Sequence, residues 1–256
     1  MKPWMKPMHR LVFVLAAALM LAHAGSAAAE ELKIFGSRVT RMVVGDVGPG
    51  YEQTTGRKLT VLTDVAAAMK RRIEQGELFD LAVLVNFQAD DLIKKGKLVA
   101  DSRADVMKAG IGLAVRRGAP KPDISTVEAF KRTLLAAQSI VYLKEGASTL
   151  HLEKVLAQLG IADTLKAKTT RTAGESVSEM VAAGEAEIGI IVIPNILSVP
   201  GAELVGPLPA EIQSYITFTA AVSPSSPNPQ AAREVIKLMR SPAGVQSIKK
   251  NGMEPG

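Results

Sequence analysis

The chain has 256 residues, 47% of them apolar and 22% charged, with a formal charge of +6. That apolar fraction excludes a disordered chain, and ordinary counts of 21 glycines and 14 prolines exclude collagen-like and low-complexity sequence. Cysteine is absent, which excludes a disulfide scaffold, thiolate metal sites, iron–sulfur clusters and a cysteine nucleophile.

Residues 1–10 carry Lys2, Lys6 and Arg10 and no acid, and residues 11–22 are an unbroken apolar run. A run of about a dozen residues suits the core of a signal peptide, whereas a membrane-crossing helix needs roughly 20. Ala27-Ala28-Ala29 ahead of Glu30 offers a small-residue cleavage site, with Ala22-His23-Ala24 as a second. The sequence therefore predicts a signal peptide over 1–29 and a soluble protein exported to the periplasm. Losing the three cations of the leader lowers the formal charge to +3, and losing His9 and His23 leaves His151 as one histidine. A multi-histidine metal centre is excluded, and so mild a charge with few aromatics does not suit nucleic acid. Lys70-Arg71-Arg72 and Lys249-Lys250 fall in helical patterns and read as solvated faces. Neither metal nor other cofactor is expected.

In chain order, residues 32–35 form a short apolar strand that breaks at Gly36-Ser37-Arg38, and a helix-permissive stretch runs from about Val39 to a glycine cap at Gly56. Residues 59–62 are the next strand, with Thr63 and Asp64 as N-cap candidates for a helix through Gln75. Residues 79–85 are a third, buried strand with Asn86 at its carboxyl end. Residues 110–116 read as an isolated strand before a Gly/Pro linker. Residues 139–142 lead through Gly146-Ala147-Ser148-Thr149 into a helix whose Leu152, Val155, Leu156 and Leu159 recur at helical spacing. Residues 167–170 precede a helix over about 175–183, and residues 186–193 are the most apolar strand. Residues 200–209 read as loop and 214–222 as a lone strand, and two last helices open at Asn228-Pro229 and Ser241-Pro242.

Strands alternating with such helices predict α/β architecture with largely parallel sheets. The two lone strands read as crossings between two lobes, one made of residues 30–111 and 217–256, the other of 112–216. Small ligands bind such sheets beyond the carboxyl ends of the strands, where helix N-termini offer free N–H groups to anions. Ser37, Thr63, Ser148, Thr149 and Ser176 stand at these positions, although each also suits simple capping. Around Ser37 and Gly146 the glycines allow close backbone approach as well.

The order and spacing of GSR (residues 36–38), YEQTTGRKLTV (51–61), EGASTLHLEKVLAQLGI (145–161), AAGEAEIGIIV (182–192) and SPAGVQSIKKNGMEP (241–255) resemble the periplasmic solute-binding proteins of the molybdate-binding type. That resemblance spans the chain after the leader. It implies a two-lobed type II binding-protein fold with two crossover strands, a small anion in the cleft and an ABC permease as partner to a monomer. The family pattern implies neutral serine hydroxyls and backbone N–H groups as ligands, often with a tyrosine after the last central strand. Ser37 matches the first serine. Arg38 follows where a small residue is usual, Asp64 stands near the second site, and Val192 or Ile193 stands at the tyrosine.

The expected ligand contacts are Gly36, Ser37 and Arg38, Thr63 and Asp64, Asn86, Ala147 to Thr149, Ser176, Val177 and Asn195. An arginine in this set suggests a carboxylate ligand gripped bidentately by Arg38, with Arg171 as a second clamp; an Arg38–Asp64 pair is the structural alternative. A second functional class also exists on this fold, since aconitate isomerase resembles molybdate-type binding proteins. An isomerase of a small tricarboxylate needs a general base, for which Asp64, Glu145 and His151 are the candidates.

Overall fold

The computed structural model describes residues 31–256 apart from 174 and 175, so the signal peptide and both cleavage sites lie outside the described residues. Three strand–helix units open the chain: β1 (Glu31–Gly36) into α1 (Arg38–Thr55), β2 (Lys58–Thr63) into α2 (Ala66–Glu74), and β3 (Leu81–Val85) into α3 (Asn86–Lys94). The long β4 (Ala104–Arg116) precedes α4 (Val127–Ala136). Next come β5 (Ile140–Leu143), α5 (Ala147–Gln158), α6 (Ala162–Leu165), β6 (Thr169–Thr172), α7 (Val177–Ala183), β7 (Ile188–Val192) and α8 (Ile193–Leu197). Finally β8 (Ala202–Pro207) and β9 (Tyr215–Val222) lead to α9 (Pro229–Arg240), α10 (Pro242–Lys250) and the two-residue β10 (Glu254–Pro255).

The strands run in the order β2-β1-β3-β9-β4-β7-β5-β6, with β8 and β10 also on β4. The two outer trios are parallel where they hold βα units: β2-β1-β3 at one end and β7-β5-β6 at the other. Between them the pairings are antiparallel, and β4 belongs to both halves. Its residues Ala104 to Gly110 pair with β9, while Ile111 to Arg116 pair with β7 and β8. A single strand that changes partners at Gly110–Ile111 gives two lobes on a shared spine.

Local sequence explains most of these elements. Gly56 ends α1 in the left-handed region, and α9 and α10 each begin with proline, whose missing N–H is harmless in a first turn. Ser241 caps α10 by accepting from the Gly244 N–H at 3.2 Å. Cores lie on both faces: Phe35 stacks on Phe79 with centroids 4.9 Å apart, and Phe130 and Leu134 of α4 cover Leu113 and Ile140.

Four expectations need correction. The crossing strand starts at Ala104, not Gly110, because Asp105 and Lys108 interrupt the apolar run while lying on the less buried side of a paired strand. Residues 202–207 are a strand, β8, although Gly201, Gly206 and Pro207 read as loop; β8 pairs with β4 alone, and an edge strand tolerates such residues. Asn86 starts the helix α3 rather than merely ending a strand. Neither Thr63 nor Asp64 caps α2, whose N-cap is Val65 with no side-chain bond.

Candidate functional site

The carboxyl ends of β1, β3, β5 and β7 converge on a cleft between the two halves, around a cavity of about 60 Å³. From the β1 half come Ser37, Val39, Val65, Val85, Ile216 and Phe218; from the β5 half come Leu143, Glu145, Gly146, Ala147, Ser148, Ile191, Val192 and Asn195. Helices α1 and α5 aim their first turns at it. The leading N–H groups of a helix lack partners within it, and the dipole favours an anion there.

Ser37 is the N-cap of α1, yet its side chain makes no capping bond. Its hydroxyl is buried without a partner, in a residue only 8% exposed. Asn195 of α8 is 2% exposed, and its Oδ1 is likewise unpaired. Buried polar groups almost always find a partner, so these two orphans on one cavity make it the candidate site. Asn195 Oδ1 as placed is an acceptor; rotating the amide turns its NH₂ toward an anion.

Opposite Ser37, Gly146 caps α5 with φ 138 and ψ 171, a conformation open essentially to glycine. Ala147 and Ser148, in the first turn of α5, line the cavity beside it. Thr149, by contrast, is structural. Its hydroxyl donates to the Leu143 carbonyl at 3.0 Å and ties the turn to β5. Gly36 has a packing reason as well: a Cβ there would lie 2.6 Å from Thr40 Cβ, so glycine lets α1 start tight against β1.

Several expected contacts do not line the cavity. Thr63 is engaged from the side, its hydroxyl accepting from Arg41. Asp64 turns back to accept from the Val65 N–H at 2.7 Å, because the chain there must satisfy a loop amide before α2 begins. Asn86 does the same for the Phe87 N–H at 2.8 Å. Ser176 bonds the Thr172 hydroxyl at 2.7 Å, and Val177 is fully buried in the core beneath β7. His151 is not among the cavity's lining residues, and its Nε2–H donates to the Ile212 carbonyl at 2.7 Å. Arg171 sits on Tyr142 and pairs with Glu153 at 2.5 Å, in a separate groove against α5 and α6. Val192, at the position where the family's tyrosine is expected, supplies only apolar wall.

Among the described lining residues Glu145 carries the one charge, and it is paired. Arg71 of α2 grips it with Nη1–Oε2 at 3.3 Å and Nη2–Oε1 at 3.1 Å, and that bond holds the Arg71 pKa above its ordinary value. Arg38 lies outside the lining. Its Nη1 pairs with Glu179 of α7 at 2.6 Å and reaches the Ser198 hydroxyl at 3.5 Å, so the Arg38–Asp64 alternative is not the pairing observed. Arg71 and Glu179 escaped the sequence reading. Arg71 sits in a basic run that resembles any solvated helix face, and only the approach of the two halves reveals its partner.

The bacterial extracellular solute-binding protein family matches residues 32–254, and the chain belongs to it. Its sequence is 32% identical over 255 residues to an aconitate isomerase from Pseudomonas sp., covering 96% of this chain and 97% of that protein. The fold matches the periplasmic molybdate-binding protein of Azotobacter vinelandii, with a TM-score of 0.74 at 18% identity over 87% of this chain and 98% of that one. It also matches the sulfate-binding protein of Mycobacterium tuberculosis H37Rv, with a TM-score of 0.72 at 16% identity over 88% of this chain and 87% of that one. The chain is thus a bacterial extracellular solute-binding protein with the type II periplasmic binding-protein fold. Among the described residues, no helix is long and apolar enough to cross a membrane.

Proposed function

We propose that the protein is the exported binding component of an ABC transporter and closes over a small anion, an organic acid or an oxyanion, in the cleft between the two halves. The carrying observation is the Ser37 hydroxyl, buried and unpartnered at the start of α1 and facing the first turn of α5. Neutral hydroxyl and amide donors at two helix starts stabilise a desolvated anion without a dedicated cation. In this reading residues 1–29 are removed on export to the periplasm. The mature monomer hinges where residues 30–111 with 217–256 meet residues 112–216.

A thermal-shift panel of molybdate, tungstate, sulfate, phosphate, citrate, both aconitates and simple dicarboxylates tests this. At a hundred times its Kd a ligand adds about 2.7 kcal/mol, roughly 5–10 °C for a chain of this size. A panel that shifts nothing overturns the reading.

A second reading, an isomerase acting on a tricarboxylate, is favoured by the full-length relationship to an aconitate isomerase. Of the three base candidates, Asp64 is turned to its own backbone and His151 to Ile212, which leaves Glu145 at the cleft. Incubating the protein with trans-aconitate in deuterated buffer checks it by NMR. Appearance of the cis isomer with deuterium at carbon supports the isomerase, and an unchanged spectrum removes it.

A further inference from the structure

Two arginines from the β1 half reach across to two glutamates of the β5 half: Arg71 to Glu145 and Arg38 to Glu179. One of these glutamates lines the cavity, and one of these arginines directly follows Ser37. We propose that Glu145 occupies the place of a ligand carboxylate, and that the cleft's ligand is a di- or tricarboxylate that displaces it to bind Arg71. This rests on the reading of the cleft as an anion site and names the class of anion.

Three observations carry it. First, the Arg71–Glu145 pair stabilises little. Arg71 and Glu145 side chains are 55% and 46% exposed, and ion pairs at such exposure are worth little to the fold. Second, the Arg71–Glu145 contact is a two-bond fork, the arrangement in which a guanidinium recognises any carboxylate, including one on a ligand. Third, the inner cavity is small. About 60 Å³ has room for about four to six water-sized atoms, the size of a single acid group. The remaining groups of a larger acid lie at the half-open mouth of the cavity, where the exposed Glu145 side chain can swing into solvent. Its departure enlarges the cavity and exposes a cation, so space and charge appear together. A compact oxyanion gains nothing from this exchange, because Ser37, Asn195 and the helix starts already complement it.

The exchange predicts an effect of unusual sign, in which removing an acid tightens an acid ligand. In Glu145→Gln the ligand no longer competes with an internal carboxylate for Arg71. Calorimetry should then show citrate or trans-aconitate binding about tenfold tighter, with sulfate and molybdate changed less than threefold. Arg71→Gln in the Glu145→Gln background should remove the gain. Glu77→Gln, which breaks the Arg72–Glu77 pair, serves as the control. If polycarboxylates bind equally well or less well in Glu145→Gln, the exchange is wrong. If only oxyanions bind and no variant changes them, the exchange is wrong while the anion cleft stands. If no anion binds any form, both fall together.

Discussion

The turns after β1 and β2 begin alike and end differently. Each follows a parallel strand, each carries a hydroxyl residue, Ser37 or Thr63, and each leads to a helix within three residues. Ser37 leaves its hydroxyl unpaired in a buried cavity, whereas Thr63 and Asp64 are absorbed by Arg41 and the Val65 amide. The difference lies in what faces each turn. Opposite Ser37 stand Gly146 to Ser148 and Asn195 from the other half, while beside Thr63 stands an arginine of the adjoining helix α1. A strand-end hydroxyl is left unpaired where the other half closes over it and is absorbed where a neighbouring helix supplies a donor.

The contrast breaks most easily at Gly146, which frames the far side of the Ser37 pocket. Gly146→Ala forces a side chain into a glycine-only conformation and should cost about 1–3 kcal/mol. That corresponds to roughly 2–4 °C of melting temperature per kcal/mol, read by thermal denaturation, together with loss of anion binding. A variant that binds and melts normally would show that this turn does not build the site.

The turns themselves are compared by Ser37→Ala and Thr63→Ala. Ser37→Ala should weaken anion binding about tenfold in calorimetry while leaving the melting temperature level or slightly higher, because a buried orphan hydroxyl is removed. Thr63→Ala should change affinity less than twofold. Equal losses in both would erase the distinction between the turns.

A smaller effect separates the isomerase candidates. His151→Ala removes a bond to the Ile212 carbonyl and should cost about 1 kcal/mol in urea denaturation, with anion affinity unchanged. A large loss of binding from this residue would place the site elsewhere.

The smallest effect concerns pH and the β1 half. Bonds from Lys70 and Lys95 hold Asp91 down at about 2, and the Ser247 hydroxyl, ahead of Lys250 and Asn251, lowers Asp46. A carboxylate whose folded pKa is depressed adds stability above its unfolded pKa and loses it as pH falls through the folded value. Stability should therefore be level above about pH 5 and decline toward pH 2. In Asp46→Asn that acid-side decline, followed by circular dichroism, should be shallower.

The sequence by itself determined the local elements: the strands at 32–35 and 59–62, the glycine stops at Gly56 and Gly160, and the proline-led helices at 229 and 242. Turn chemistry and hydrophobic period act within a few residues, so they are readable in one dimension. It also singled out Ser37, Ala147, Ser148 and Asn195, because helix starts after parallel strands are where anions bind. Tertiary structure alone decided the rest. It decided that β4 serves two sheets, that residues 202–207 are an edge strand, that Thr63 answers to Arg41, and that Arg71 and Arg38 meet glutamates more than seventy residues away in the chain. Those outcomes depend on which groups distant stretches of the chain bring within bonding distance of each other, and no local pattern encodes that distance.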